Sequence, residues 1–267
     1  MRESIVRQRK ATRERRMKEC VDWDPNMKFA KELNIKGDSY QMRNLFPEVE
    51  QGPVDKLGAY LFAKGEQYYV ESPSGLWRYS NPTLGAGADI IVAFGNKRGT
   101  VLWDSPVMCP AVHRRPNYSS YGKDLWTHPD QTPYMALTPM EIFTMRSGTR
   151  RAKGEVIIAG LGLGYQLIDV SNRKKVTKLT LIEISQELVD WLYPRIKPYL
   201  GCEVEVIVGD AYEVLPDMAA DVVLLDTFAT YGGNTDKRDD LYRQNPNLKY
   251  IWAWGTQYAE ERNGYWR

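Results

Sequence analysis

The ten residues Glu155-Val-Ile-Ile-Ala-Gly-Leu-Gly-Leu-Gly164 constrain this chain more than any other stretch. Val156, Ile157, Ile158 and Ala159 form a short unbroken apolar run rich in β-branched residues. A strand buried on both faces of a parallel sheet reads this way. Gly160, Gly162 and Gly164 follow at once, and Tyr165-Gln-Leu-Ile-Asp-Val continues as a helix. Strand, glycine turn and helix together bring backbone N–H groups close to a nucleotide-like ligand. Glycine serves there because a Cβ would obstruct both a turn at positive φ and the ligand's approach. The spacing is G-x-G-x-G, and Tyr165 stands where a dinucleotide fingerprint would carry its third glycine.

Downstream of this loop the chain alternates strand and helix. Leu179–Glu183, Val204–Val208 and Asp221–Asp226 read as three further strands, with a helix opening at Ser185-Gln-Glu and ended or interrupted by Pro194. Repeated βαβ units predict a parallel sheet with right-handed crossovers and helices on both faces. Ligands of such sheets lie beyond the carboxyl ends of the strands. Those ends carry the glycine loop, Glu183, Asp210 and Asp226. Glu183 follows Gly164 by 19 residues, which places a carboxylate within reach of a ribose diol. Hydrogen bonds to a charged acceptor contribute roughly 1.5–3 kcal/mol each, so Glu183 can fix such a diol. Asp210 is suited to accept from an adenine amino group.

Upstream, Thr138-Pro139-Met140-Glu141 is a capping box that starts a helix through Ile142, Phe143 and Met145, with Gly148 as its expected stop. Short strands are expected at 68–70, 76–79, 89–94 and 100–103, with turns at 72–75, Asn81-Pro82 and 96–99, which makes a small antiparallel β unit. Gly85 and Gly87 precede a strand, the wrong order for a phosphate loop, and read as a turn. Residues 110–137 read as a long covering loop, and 21–58 as short helices and a linker. Residues 1–20 hold eight Lys and Arg against three Glu. That stretch is either a nucleic-acid arm or a solvated terminus, and the lack of interleaved aromatics favours the second. The resulting division is 1–58 arm and linker, 59–137 β unit and loop, and 138–267 the α/β domain.

Composition narrows the function classes. With 36 Lys and Arg against 34 Asp and Glu, the whole molecule has no polyanion-attracting field. Cys20, Cys109 and Cys202 are far apart and odd in number, so reduced thiols and a cytoplasmic location are expected. No signal peptide and no apolar run of spanning length is present, so no membrane partner is expected. His113 and His128 without paired Cys spacing predict no metal site.

The stretch Val156–Asp226 resembles the class I S-adenosylmethionine-dependent methyltransferases, with their G-x-G-x-G loop and acidic ends to the following strands. The resemblance implies a Rossmann-like doubly wound sheet and S-adenosyl-L-methionine as cofactor. It places Gly160, Leu161, Gly162 and Gly164 against the methionine and ribose part and Glu183 on the ribose hydroxyls. Ile184 would flank the adenine, Asp210 and Ala211 would meet its amino edge, and Asp226 and Thr227 would border the sulfonium and the acceptor. An acidic residue that the family often places ahead of the loop is absent, Ala159 standing before Gly160. Asp226 is the candidate to orient or deprotonate the acceptor, and Tyr231 to pack on it. The Asn/Asp-Pro-Pro-Tyr signature of enzymes that methylate exocyclic base amines or glutamine is missing. A small-molecule or protein acceptor is therefore favoured over nucleic acid.

A second, weaker resemblance is to spermidine-synthase-like aminopropyltransferases, which place a small β unit ahead of the same fold. The unit at 59–109 and Asp130-Gln-Thr-Pro-Tyr134 are similar to that layout, whereas the G-G-G-x-G-G loop and the Asp-Ser-x-Asp-Pro run are not found. A cofactor-binding protein without transfer activity is the third alternative. After Asp226 the expected pieces are a partly helical stretch at 236–247 and a fifth strand at 249–254. The sheet is then shortened at its C-terminal side, or completed by the N-terminal part or by a second subunit. Trp252, Trp254, Tyr258 and Tyr265 are expected to pack on the core rather than to dimerise.

Overall fold

The computed structural model describes residues 44–55, 66–84, 89–94, 97–102, 107–115, 134–137, 139–227 and 234–256. The basic arm, Gly85, Gly87, Asp130, Thr138, Tyr231, Tyr258 and Tyr265 lie outside the described residues.

The N-terminal half contains eight short strands: β1 (Gln51–Asp55), β2 (Tyr69–Glu71), β3 (Trp77–Leu84), β4 (Asp89–Phe94), β5 (Lys97–Leu102), β6 (Val107–Met108), β7 (Ala111–Arg114) and β8 (Met135–Ala136). β3 is the organiser, pairing antiparallel with β2, β6 and β7, while β8 adds to β7. β4 and β5 form a separate hairpin.

Four expectations change here. Gln51–Asp55, read as linker, is a strand, and it pairs parallel to β3, so the unit is not wholly antiparallel. Its Pro53 is tolerated because the register shifts between Gln51 and Val54, and proline in sheets is confined to such irregularities and to edges. Asn81-Pro82 lies within β3 rather than in a turn, and the supposed loop at 110–137 supplies β7 and β8. Both follow from pairing partners distant in sequence, which override local turn preference. The turn at 72–75 is as expected, with Gly75 at φ 71 and its N–H donating to the Ser72 carbonyl.

The C-terminal half is the α/β domain. In chain order it runs α1 (Pro139–Thr149), β9 (Gly154–Ala159), α2 (Tyr165–Ser171), β10 (Val176–Glu183), α3 (Gln186–Ile196), β11 (Glu205–Val208), α4 (Ala211–Val214), β12 (Val222–Leu225), α5 (Asn234–Gln244) and β13 (Ile251–Ala253). The five strands are parallel in the order β11-β10-β9-β12-β13. This is a Rossmann-like doubly wound sheet, and its strand order reverses between β9 and β12.

The apolar run of β9 is explained by burial on both faces. Val156 and Ile158 join the core on one side with Leu179, Leu181 and Leu192, while Ile157 and Ala159 join Ile182, Val223, Leu225 and Leu241 on the other. Strand side chains alternate between faces, and fully burying each aliphatic one contributes about 1.5–3 kcal/mol.

Two helix expectations are corrected. Gly148 does not end α1; a Cβ there would stand 2.4 Å from the Trp252 indole, so its role is close packing against β13. Pro194 neither ends nor interrupts α3, which continues to Ile196. Proline removes the hydrogen bond to the carbonyl four residues earlier, here that of the exposed Asp190, which water can satisfy. Trp252 and Trp254 pack on α1 as expected, with indole N–H groups donating to Ser147 Oγ at 2.9 Å and Thr144 Oγ1 at 3.1 Å.

The β unit docks on α3. Arg195 lies over the Phe46 ring at 3.9 Å and donates to Leu45 O and Glu48, and Glu187 accepts from the Ser74 N–H and hydroxyl. No helix among the described residues is long and apolar enough to cross a membrane.

Candidate functional site

The ends of β9 to β12 lie side by side, so the loop after each opens onto one edge of the sheet. Adjacent strands are about 4.8 Å apart, and the edge from β11 to β12 therefore spans about 14 Å. That is room for a nucleoside carrying an extended chain.

The glycine loop occupies the centre. Gly160, Gly162 and Gly164 all have positive φ, at 99°, 52° and 79°. The reason for glycine differs at each. A Cβ on Gly160 would meet the Asp226 carbonyl oxygen at 2.3 Å, and one on Gly164 would meet Ile196 at 2.7 Å. A Cβ on Gly162 would meet nothing within 4 Å, so this glycine faces open space on the ligand side. Leu161 and Leu163 are buried and pin the loop from below.

Glu183 secures the loop from the neighbouring strand. It is 7% exposed, its Oε2 accepts from the Leu161 N–H at 2.8 Å, and its Oε1 accepts from the Ser185 N–H at 2.9 Å. A carboxylate has about four lone-pair sites, so each oxygen retains capacity for a further donor. Beside it Ile184 is 67% exposed, an apolar surface at the rim. On the next strand end Asp210 caps α4, its Oδ1 accepting from the Tyr212 N–H at 2.9 Å. Ala211 is buried in the core, so only its backbone is placed to meet a ligand. Thr227 is exposed and lies 2.9 Å from the Tyr212 hydroxyl, which links the end of β12 to α4.

Asp226 sits across the switch point. Its N–H donates to the Ala159 carbonyl at 2.9 Å, and its Oδ2 accepts from Gln166 Nε2 at 2.6 Å. Burial pushes its carboxyl up to about 6, with the Gln166 hydrogen bond opposing. Glu141 on α1 is pushed up to about 7, first by burial and then by the charge of Asp226. Two carboxyl groups and an amide therefore gather beside Gly160.

The structure thus brings together Gly160, Leu161, Gly162, Gly164 and Glu183, sets Ile184, Asp210, Ala211 and Thr227 along the edge, and adds Asp226 at its far end. Tyr231 falls outside the described residues. Glu141 and Gln166 were missed in the sequence. Glu141 was legible only as a helix cap. Gln166 carried a signal, a polar residue next to Leu167 and four before Val170 on the buried face of α2.

No protein-family model matches the chain, and no curated protein matches it in sequence. Similar solved structures include a precorrin-8w decarboxylase from Methanobacterium thermoautotrophicum, at 20% identity and TM-score 0.34, covering 43% of this chain and 62% of that one. The 23S rRNA methyltransferase ErmE is similar at 18% identity and TM-score 0.36, with 47% and 49% covered. A SAM-dependent methyltransferase from Thiobacillus denitrificans, crystallised with S-adenosyl-L-homocysteine, is similar at 23% identity and TM-score 0.34, with 43% and 48% covered. The chain spans less than two thirds of the length of each of these structures. What it has in common with them is an α/β fold over part of its own length.

Proposed function

We propose that the chain is an S-adenosylmethionine-dependent methyltransferase acting on a small molecule or a protein group. The observation that carries this reading is the glycine loop at the switch point. Gly162 leaves open the volume a Cβ would fill, and the adjoining carboxylate is already oriented by the loop's own amide. A ligand lying there meets Glu183 at its ribose, Ile184 at one face of its base and Asp210 at the base's edge.

Bound at this edge, the cofactor supplies an electrophilic methyl group on a sulfonium. The residues around it align and shield. Holding reactants in near-attack geometry contributes roughly 7–11 kcal/mol in favourable cases. Asp226, at the end of β12, orients a donor N–H or O–H of the acceptor, and its raised pKa suits it to take a proton near neutrality. A buried carboxyl that titrates close to working pH exchanges protons more readily than an ordinary surface aspartate.

Aminopropyl transfer is the second reading, and the pairing of Glu141 with Asp226 favours it insofar as an amine acceptor needs carboxylates. Calorimetric titration with S-adenosylmethionine, S-adenosylhomocysteine, decarboxylated S-adenosylmethionine and NAD separates the possibilities. Binding of the first two alone supports methyl transfer, and preference for the decarboxylated form supports aminopropyl transfer. Binding of none refutes both. Glu183→Ala is expected to weaken S-adenosylhomocysteine binding by roughly 10- to 150-fold, the equivalent of 1.5–3 kcal/mol. Unchanged affinity would remove Glu183 from the ribose.

A further inference from the structure

Gln166 is 6% exposed, and its side-chain amide touches Asp226 through Nε2. The other atom of that amide, Oε1, is buried and accepts no hydrogen bond among the described residues. Both atoms sit on one carbon, so the orphaned acceptor lies beside the Asp226 carboxyl. A buried acceptor left without a donor costs about 1–3 kcal/mol. Reversing the amide does not cure this, since an ionised Asp226 needs the donor end.

The charges around the point are one-sided. Asp226 on β12 and Glu141 on α1 are both acidic, and α2 contributes Gln166. Arg146, further along α1, donates to the Tyr165 hydroxyl at 3.3 Å. No cation among the described residues forms an ion pair with Asp226. The point lies against the glycine loop, since the Asp226 carbonyl covers Gly160.

We propose that Gln166, Asp226 and Glu141 receive the primary ammonium group of a ligand lying across the glycine loop. An ammonium has three N–H donors and no acceptor. One donor satisfies Gln166 Oε1, and the other two meet the carboxyl groups. Charge-assisted hydrogen bonds of this kind are about twice as strong as neutral ones. A sulfonium has no hydrogen to donate, so it would leave Gln166 Oε1 unpaired. The arrangement also supplies an acidic partner that the sequence lacks directly ahead of the loop, where Ala159 stands. The ammonium can belong to the amino-acid end of the cofactor or to an amine acceptor, and the inference rests on the cofactor reading above.

The test compares the wild-type chain with Gln166→Leu by calorimetry against S-adenosylhomocysteine, which carries the ammonium, and 5′-methylthioadenosine, which lacks the amino-acid end. n-Butylamine is titrated into the S-adenosylhomocysteine complex as the amine probe. If the cofactor supplies the ammonium, Gln166→Leu loses roughly tenfold or more in affinity for S-adenosylhomocysteine and none for 5′-methylthioadenosine. If the acceptor supplies it, both nucleosides bind the variant normally and butylamine binding is lost. Unchanged affinity for all three probes, or equal losses for the two nucleosides, overturns the proposal. Glu141→Gln is made alongside and is expected to show the same pattern, which keeps the test decisive should Gln166→Leu fold poorly. A wild-type chain that binds neither nucleoside refutes the methyltransferase reading. In that case butylamine, titrated into the free chain and compared with Gln166→Leu, decides the ammonium site by itself.

Discussion

Gly160 and Gly162 are two residues apart and look alike in the sequence, yet they meet opposite surroundings. Gly160→Ala would drive a Cβ into the Asp226 carbonyl at a φ of 99°, and is expected to cost about 3 kcal/mol or more. Gly162→Ala has open space and a φ of 52°, near the left-handed region, so it is expected to cost only about 1–2 kcal/mol. It should nevertheless reduce S-adenosylhomocysteine affinity by roughly tenfold or more, because the methyl enters the ligand's volume. Urea unfolding and calorimetry on the two variants check both halves. A Gly162→Ala variant with normal affinity would move the ligand off the loop. Asp226 and Glu141 make a second prediction at this scale. Both carboxyls titrate above their ordinary range, so the folded state holds their protons more tightly than the unfolded chain. Their contribution to stability is full below about pH 4 and is lost as pH rises through about 6 to 7. The double variant Asp226→Asn, Glu141→Gln should therefore gain stability over wild type between about pH 5 and about pH 8, on the order of 1–3 kcal/mol per carboxyl. Equal pH dependence of wild type and variant in urea unfolding would refute the burial of the pair.

Among the elements, α1 shows how far a local rule reaches. Its start at Pro139 follows from proline at the first helical position, and its passage through Gly148 follows from a partner more than a hundred residues away. Gly148→Ala would gain about 1 kcal/mol of helix propensity and lose about 1–3 kcal/mol to overpacking against Trp252. The indole is held by its bond to Ser147, so it cannot easily retreat. A net loss of about 1–2 kcal/mol in urea unfolding is expected, and a gain would show that α1 does not rest on β13. The strands divide along the same line. β9, β10, β11 and β12 were legible because each is a continuous apolar run between polar turns. β1, β7 and β8 were not, because their strand character comes from pairing with β3 or with each other and not from their own residues.

At the scale of the whole molecule, the β unit and the α/β domain meet through α3. Arg195 covers the Phe46 ring and reaches Leu45 O, while its pair with Glu48 is largely exposed. Exposed pairs contribute about 0–1 kcal/mol, so Glu48→Ala should change little. Arg195→Ala removes the stacking and the backbone bond as well and is expected to cost about 1–2 kcal/mol. Urea unfolding of the two variants measures the difference, and equal effects would mean that the ion pair is the principal contact.

The sequence by itself determined the α/β domain and the cofactor edge. The apolar runs, the glycine spacing and the carboxylates at strand ends are all properties of residues close together in the chain. It also led to Glu183 and Asp226, because a parallel sheet delivers every strand end to the same side. Only the tertiary structure decided what those residues do to each other. Glu183 bonds the Leu161 amide, Gly160 is covered by Asp226, and Glu141 and Gln166 come from two different helices to stand beside Asp226. Spacing along the chain carries no record of such meetings. They exist because helices on one face of a sheet converge on a common edge, where burial raises the pKa values of the two carboxyls and leaves one amide oxygen without a donor.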